Sequence, residues 1–405
     1  MSMELHSIEA KSGLSRARYP ESFLVSLYRA LAPYRGCAHG CLYCDGRAEK
    51  YYVDGDFTRD IQIRENLPDL VARDVDGGTA SREYGAVCIG SGVTDVYQGA
   101  ERERGITRAT LEHLSRAGIP IVILTKNNLI LRDFDILSRF PAALIITTIT
   151  TVNEKDARFL EPGATPPSGR LEIVRKAKEH GFFAGIMAMP LCPGISDGES
   201  SFAALLDAAQ EVGADFVYPG GLTLRPGRQK DAFMALVDSR YPDLRPLYND
   251  LYRENRQSGM PLASASAVLH ARLDRMVRTR GMSQMIPHRV YRSLLSAPDS
   301  LFVLFCHMQN LYQMRGVDTR PLKAATDRYA EWLGEARTAL RRKRGAGSFP
   351  GTFPVTGELT ERLLELSATG NLSLILRNDR LTALASEILN GGVYFDYPSL
   401  SIVSG

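Results

Sequence analysis

The fold of this 405-residue chain is decided by one stretch, Ala32-Pro33-Tyr34-Arg35-Gly36-Cys37-Ala38-His39-Gly40-Cys41-Leu42-Tyr43-Cys44. Three of the six cysteines lie in it, separated by three and then by two residues. The proline and the glycines favour a loop over a helix or a strand. Three thiolates on one loop can hold three irons of a cubane iron–sulfur cluster and leave the fourth iron without a protein ligand. Such an open iron is a place for chemistry.

Zinc and a disulfide are the two structural alternatives for this loop. A closed zinc site needs a fourth ligand, and a disulfide between two of the cysteines leaves the third one over. We therefore expect Cys37, Cys41 and Cys44 to carry a catalytic iron–sulfur cluster.

Composition narrows the class of protein. The chain is 44% apolar and 23% charged, which is ordinary for a globular protein. Its net charge of +3 is too small to indicate nucleic-acid binding by itself. Met1 to Ser22 lacks the pattern of a signal peptide, and no later run approaches the roughly 18 apolar residues of a membrane helix. We expect no membrane partner and a reducing, cytoplasmic setting, which an oxygen-sensitive cluster would need.

Apolar runs that alternate with amphipathic segments predict the fold. The first run, Phe23 to Tyr28, leads into the cysteine loop. Runs without in-out alternation are typical of parallel strands covered by helices on both faces. We predict an α/β fold, a partial (β/α)6 barrel of the TIM type at 23–230, after an N-terminal segment at 1–22. The predicted strands are 23–28, 86–90, 119–125, 143–149, 183–189 and 214–218, and the predicted helices are 61–75, 107–117, 133–139, 170–180 and 200–212.

The region 231–405 is predicted to be mainly helical and to lie over or beside the mouth of the barrel. It contains a basic cluster, Arg341 to Arg344, followed by a Gly/Pro-rich link, Gly345 to Pro354. The cluster could contact the phosphates of a nucleic acid. Positive charge is also favourable at the C-terminal end of a helix, so the cluster has a purely structural interpretation as well.

The cysteine loop, placed after the first strand of a six-fold alternation, resembles the radical S-adenosylmethionine (radical SAM) superfamily. Together with Thr125-Lys126 and Glu161-Pro162-Gly163-Ala164-Thr165-Pro166, it is similar to the spore photoproduct lyase-like branch, also called DNA repair photolyase-like. The resemblance covers roughly Tyr34 to Arg225 and leaves the C-terminal region unmatched.

The resemblance implies a [4Fe-4S] cluster on Cys37, Cys41 and Cys44, with S-adenosylmethionine bound to the fourth iron through its amino and carboxylate groups. An electron donor such as a flavodoxin or ferredoxin would reduce the cluster. Reductive cleavage would then give a 5′-deoxyadenosyl radical that abstracts hydrogen from the substrate, because the cofactor supplies the difficult chemistry while the protein positions it.

The resemblance also implies a binding site for S-adenosylmethionine. Tyr43 would pack near the adenine, Lys126 would pair with the methionine carboxylate, and Thr148 would bond the ribose. The turn Gly90-Ser91-Gly92 would hold the amino group through its backbone. A core tyrosine, a solvated lysine, a threonine that favours strands and an ordinary turn are the structural alternatives.

The remaining cysteines and His39 are less informative. Spore photoproduct lyases carry a hydrogen-donor cysteine after the second strand, and the corresponding Gly92-Val93-Thr94-Asp95 has none. Cys88 reads as a buried structural thiol. Cys192, at the exit of the fifth strand, is our candidate for a catalytic hydrogen donor. His39 is expected to stabilise the loop and not to bind iron.

Three functions are compatible with these observations. We expect a radical SAM enzyme that modifies a nucleic acid or nucleotide by a lyase-like or other radical reaction. Radical modification of a peptide or small metabolite is the second enzymatic reading. An iron–sulfur binding or electron-transfer module is the alternative outside enzymes, and the open iron argues against it.

Overall fold

The computed structural model describes residues 3–51, 55–78, 83–90, 92–344 and 355–404. Ser91, part of the predicted turn, and the predicted link lie outside the described residues, as do the side chains of Lys343 and Arg344. The strands are β1 (Glu4–Ile8), β2 (Leu14–Glu21), β3 (Ser26–Ala30), β4 (Tyr34–Arg35), β5 (Asp60–Arg64), β6 (Val87–Ile89), β7 (Ile121–Thr125), β8 (Ala143–Thr148), β9 (Phe183–Leu191), β10 (Val217–Gly221), β11 (Val393–Asp396) and β12 (Ser401–Ser404).

Helices follow the strands of the first half and dominate the second half. They are α1 (Leu67–Asp76), α2 (Glu101–Arg104), α3 (Ile106–Leu114), α4 (Phe134–Leu137), α5 (Glu154–Leu160), α6 (Pro167–Glu179), α7 (Glu199–Glu211), α8 (Arg228–Arg240), α9 (Arg245–Leu251), α10 (Ala263–Thr279), α11 (His288–Tyr291), α12 (Ala297–Met314), α13 (Arg320–Arg344), α14 (Val355–Ala368), α15 (Leu372–Leu376) and α16 (Asp379–Leu389).

A seven-stranded sheet forms the centre of the fold, in the order β10-β9-β8-β7-β6-β3-β2. The strands from β3 to β10 in this sheet are parallel, and they correspond to the six predicted apolar runs. The predicted α/β architecture, a partial β/α barrel with a helical extension, is confirmed. The parallel strands all end at the same edge of the sheet, which is where ligands bind in such folds.

The sheet extends into the segment 1–22, which we predicted to precede the barrel. Strand β2 pairs antiparallel with β3 and forms one edge of the sheet. Its pattern of burial is mixed, because an edge strand needs no continuous apolar run.

A second, three-stranded sheet has the order β1-β5-β4. Residues 61–64, which we predicted as the start of the helix at 61–75, belong to β5 because Ile61 and Ile63 are buried at a spacing of two. The helix α1 begins only at Leu67.

Alternate residues of the parallel strands face two different layers. Val87, Ile121 and Ile123 pack in one apolar cluster with helices of the barrel, such as α1, α3 and α6. Cys88 and Val122 pack in another cluster, with α12 and the helices that follow it. The C-terminal region therefore covers the second face of the sheet and supports the strands whose ends carry the site. In the described part of the chain, no helix has the length and apolarity that crossing a membrane would require.

Candidate cofactor site

A cavity of about 350 Å³ lies at the carboxyl ends of the parallel strands. The three cysteines of the loop line it, and it also contains most of the other residues predicted to bind S-adenosylmethionine. These cavity residues are Cys37, Cys41, Cys44, Tyr43, Gly92, Lys126 and Thr148. Four chain segments far apart in sequence thus meet at one place.

Gly90 does not line this cavity. Its φ of +113° lies in a region that other residues rarely adopt, and a Cβ there would be 2.9 Å from the Leu124 carbonyl oxygen. Gly90 is therefore explained by the turn after β6 and by its close approach to β7.

The cysteine loop is held by hydrogen bonds to its backbone. Gln98 accepts from the Ala38 amide at 2.8 Å and donates to the Gly36 carbonyl at 3.0 Å. Arg47 donates to the Cys41 carbonyl at 2.8 Å and to the Gly40 carbonyl at 2.7 Å. These bonds satisfy backbone groups that a buried loop would otherwise leave unpaired.

His39 is buried, and both of its ring nitrogens face side chains outside the cysteine loop. Its Nδ1 lies 3.5 Å from Asp95 Oδ2, and its Nε2 lies 3.3 Å from Asn127 Nδ2. Asp95 also accepts from Thr125 Oγ1 at 2.8 Å and from the Lys126 amide at 2.7 Å. Burial lowers the pKa of His39, although the Asp95 carboxylate opposes this effect. The geometry fits the loop-stabilising role that we predicted.

Glu161 connects the cysteine loop to the end of β8. It accepts a hydrogen bond from the Tyr43 hydroxyl and forms a salt bridge with Arg170. Arg170 also donates to the Thr148 carbonyl at 2.7 Å. Burial alone would raise the pKa of Glu161, but Arg170, Lys126 and the Tyr43 hydroxyl lower it below its usual value. The carboxylate therefore stays ionised and anchors the tyrosine that precedes Cys44.

The contacts of Gly163 explain why the Glu-Pro-Gly sequence ends in glycine. Its amide donates to the His39 carbonyl at 2.8 Å. A Cβ at this position would be 2.4 Å from the Ala38 carbonyl oxygen and 3.0 Å from His39 Cα. Because real Cβ atoms do not come so close to backbone, only glycine lets the two loops meet here.

Residues that follow β10 also hold the cysteine loop in position. Our sequence analysis did not predict these contacts. Gln229 donates to the Tyr43 carbonyl and to Asp45 Oδ1, both at 2.8 Å. Thr223 Oγ1 also donates to Asp45 Oδ1 at 2.8 Å. No local sequence pattern indicated these contacts, since they join residues about 180 positions apart.

The spacing of the thiols tests which metal centre fits. Within the ranges that the structure describes, only the exposed or half-buried Glu4, His6 and Asp60 have three ligand atoms all within 4.8 Å of one another. The three loop thiols do not form such a compact group in the described part of the chain, and a closed structural Zn²⁺ site needs four ligands. Burial raises the pKa of the Cys41 thiol to about 12, so metal binding would have to supply the energy of deprotonation. Three thiols that line one cavity suit a cluster in which each thiolate binds one iron.

Comparison with known proteins agrees with this geometry. Residues 31–206 match the family model of the Radical SAM superfamily. These residues form a radical SAM domain. A structure of a spore photoproduct lyase mutant is similar in fold, with a TM-score of 0.50 and 16% identity, over 68% of this chain and 79% of that one.

Two sequence relatives are similar to more than half of this chain. An uncharacterized protein of Mycobacterium tuberculosis is 27% identical over 255 residues, which are 61% of this chain and 73% of the relative. A protein of Pseudomonas phage M6, named radical SAM Nalpha-GlyT isomerase, is 24% identical over 235 residues, 55% of this chain and 45% of the relative. The family implies an enzyme that uses radical chemistry with a [4Fe-4S] cluster and S-adenosylmethionine.

The remaining predicted groups lie outside the cavity of the radical SAM domain. Cys192 is fully buried, and its Sγ lies 3.8 Å from the Pro190 carbonyl oxygen. Its role as a hydrogen donor stays a prediction, which this burial disfavours. Cys88 is buried within β6, as expected of a structural thiol. In the basic cluster, Arg341 forms a salt bridge of 2.5 Å with the buried Glu83, so this arginine has a structural partner already.

Proposed function

We propose that this protein is a radical SAM enzyme that abstracts hydrogen from a nucleic-acid or nucleotide substrate. The observation that carries the proposal is the convergence of the three loop thiols with Lys126 and Thr148 in one cavity at the carboxyl end of a parallel sheet. When bound, the [4Fe-4S] cluster and S-adenosylmethionine would supply a 5′-deoxyadenosyl radical. The chain would hold the cluster through Cys37, Cys41 and Cys44.

Lys126 is suited to bind the carboxylate of S-adenosylmethionine. Burial alone would lower its pKa, but Cys41, Glu161, Cys44 and Asp95 raise it, so the amine stays charged. Among the residues with described positions, none forms a salt bridge with Lys126. A charged amine that lines a cavity without such a partner can pair with a carboxylate there. Gly92, Tyr43 and Thr148 would surround the rest of the molecule.

Further residues that line the cavity are suited to a flat, partly polar substrate. They include the apolar side chains of Phe23 and Met189 and the salt bridge of 2.5 Å between Arg29 and Glu21. The ring of Phe23 also contacts that of Tyr218, with centroids 4.9 Å apart. Aromatic rings stack on nucleobases, and a guanidinium beside a carboxylate can bond polar base edges. The motif resemblance to the spore photoproduct lyase-like branch points to the same substrate class.

Anaerobic reconstitution with iron and sulfide tests the enzyme class. The wild type is expected to bind about four irons for each chain and to release 5′-deoxyadenosine when dithionite and S-adenosylmethionine are added. Cys41→Ala should lose both properties, whereas Cys306→Ala, on α12 and outside the cavity, should keep them. An iron-free wild type, or a loaded one that does not cleave S-adenosylmethionine, would contradict the proposal.

A deuterium-transfer experiment tests the substrate class. Oligonucleotides and nucleotides deuterated in the sugar or base are incubated with the reduced enzyme, and deuterium is sought in 5′-deoxyadenosine. Phe23→Ala is expected to weaken oligonucleotide binding about tenfold, since one stacked base contributes about 1–3 kcal/mol. The matched control is Phe302→Ala, on α12, whose ring stacks on Tyr19. If deuterium is transferred from a peptide or metabolite pool but from no nucleic acid, the substrate assignment is overturned. The enzyme class would then still hold.

A further inference from the structure

A second cavity, of about 170 Å³, lies on the other side of the cysteine loop. Among the residues whose positions are described, it shares only Thr94 with the cavity of the cofactor site. The loop therefore separates the two. The residues that matter here are Arg35 and Arg64, which supply charge, and Gly36, Gly46 and Phe57, which belong to or touch the loop.

Arg35 and Arg64 bring two positive charges to one wall of this pocket. Arg35 on β4 pairs with Gln62 on β5, and Arg64 lies two residues further, so both side chains leave the small sheet on the same face. Arg64 donates to the Ala32 carbonyl at 2.6 Å. Neither guanidinium forms a salt bridge with a residue whose position is described. Burial and the neighbouring Arg35 lower the pKa of Arg64.

The side chain of Phe57 connects this pocket to the cluster ligands. Phe57 lines the pocket and packs against Cys37 and Cys44. Arg47, which bonds the carbonyls of Cys41 and Gly40, lies over the Phe57 ring at 5.9 Å and adds a third guanidinium nearby. An anionic group bound between the arginines would thus sit one ring away from two thiolates.

We propose that the Arg35–Arg64 pocket docks a carboxylate-bearing face of a one-electron donor protein, and that the donor reduces the cluster from this side. The proposal rests on the function proposed above. One electron would leave the reduced cofactor of the donor and enter the cluster, while no bond of the pocket residues forms or breaks. Paired arginines suit carboxylates in geometry and charge. A nucleic-acid substrate would have to reach the cofactor cavity, from which this pocket is separated by the loop.

The test compares two double variants of the reconstituted protein that lose the same charge. Arg35→Gln/Arg64→Gln removes the pair, and Arg253→Gln/Arg256→Gln removes two arginines from the connection between α9 and α10. Flavodoxin, labelled with a fluorophore, serves as the probe for binding by anisotropy. Flavodoxin hydroquinone and dithionite are then compared as reductants by the bleaching of cluster absorbance at several salt concentrations.

The pocket variant is expected to bind flavodoxin about tenfold more weakly at low salt and to be reduced by it more slowly, with a shallower salt dependence. Reduction by dithionite and the cleavage of S-adenosylmethionine that follows should stay at the wild-type level. Unchanged binding and reduction by flavodoxin would overturn the proposal, as would a loss of oligonucleotide binding without any effect on flavodoxin. A wild type without cluster or cleavage under dithionite would instead contradict the proposed function.

Discussion

Two buried pairs of arginine and carboxylate stabilise different parts of this molecule. In the cofactor site, Glu161 pairs with Arg170, and each side chain is 1% exposed. In the C-terminal region, Asp299 on α12 pairs with Arg337 on α13 at 2.8 Å, and the side chains are 0% and 3% exposed. The chemical groups and the burial are nearly the same in both pairs, so neither property identifies a functional site.

The surroundings of the two pairs distinguish them. Glu161 also bonds the hydroxyl of Tyr43, which lines the cofactor cavity. Arg337 instead shares its charge between Asp299 and Glu83, and Glu83 precedes β6. The first pair therefore holds the cysteine loop in position through Tyr43. The second pair joins the helical region to the segment before β6. A buried ion pair acquires a functional role through the third group that it holds.

Breaking either pair should destabilise the protein strongly, because a buried carboxylate then loses its counter-charge. We expect Arg337→Met and Arg170→Met each to lower the free energy of unfolding by about 3–5 kcal/mol. Denaturant titration measures this loss, with Arg320→Met as the control at a 90% exposed position where no change is expected. Only Arg170→Met should also reduce the iron content and alter the electron paramagnetic resonance spectrum of the reduced cluster. Equal effects of both variants on the cluster would refute the distinction.

The contact at Gly163 concerns the cysteine loop alone. Gly163→Ala would place its Cβ 2.4 Å from the Ala38 carbonyl oxygen, so the cysteine loop or its neighbour must move. We expect a loss of stability of about 1–3 kcal/mol, typical of overpacking, together with incomplete cluster loading. Gly198→Ala is the control, because a Cβ there meets nothing within 4 Å. Full iron content in Gly163→Ala, determined by chemical analysis, would show that the contact is dispensable for the cluster.

The pH dependence of stability should differ between the pairs. Burial raises the pKa of Asp299 above its usual 3.8, since the Arg337 charge that opposes this effect is shared with Glu83. The folded state then binds more protons than the unfolded state, so stability falls as the pH rises from 3.8 towards the folded pKa. The difference in stability between wild type and Asp299→Asn should therefore fall over this window, by at most about 1.4 kcal/mol for each pH unit.

Glu161 provides the contrast in the same titration. Its pKa lies below the usual 4.5, so its contribution is complete above that pH and is lost as the pH falls through the folded pKa. The difference between wild type and Glu161→Gln should be flat above 4.5. A parallel pH profile for both variants, measured by urea unfolding, would show that the two carboxyls have similar environments.

The sequence predicted what local pattern encodes. Continuous apolar runs such as Ala143 to Ile149 identified the parallel strands, because strands buried on both faces need no alternation. Strand β2 was missed because it is an edge strand of mixed burial. In the region 60–76, the apolar spacing of Ile63 and Leu67 imitates a helix, although a strand ends at Arg64 and α1 begins three residues later.

The candidate site was predictable only where a motif marks it. The cysteines, Lys126 and Thr148 follow strand ends and were found in this way, and the Glu-Pro-Gly sequence was noticed without its physical reason. Gln229 was missed, since a hydrogen bond between residues 186 positions apart leaves no periodic signal. Arg170 was also missed, although it lies only 9 positions from Glu161, because no local pattern shows which charge a helical arginine will meet. Charge partners are decided by tertiary structure, and this also explains why the bond of Arg341 to Glu83 was not foreseen.

The hydroxyl of Tyr43 provides the mildest test of the comparison. Tyr43→Phe keeps the ring in the cavity and removes one donor to Glu161, which still holds Arg170 and accepts from Thr150 Oγ1 at 3.1 Å. We expect a loss of about 0.5–1.5 kcal/mol, the usual net value of one hydrogen bond, with normal iron content. Tyr291→Phe, which removes a hydroxyl 2.9 Å from that of Tyr397 in the C-terminal region, is the matched control. If the Tyr43 hydroxyl orients the ring for S-adenosylmethionine, only Tyr43→Phe should raise the Kd of that ligand, measured by calorimetry on the loaded protein. Equal Kd values in both variants would restrict the hydroxyl to a structural role.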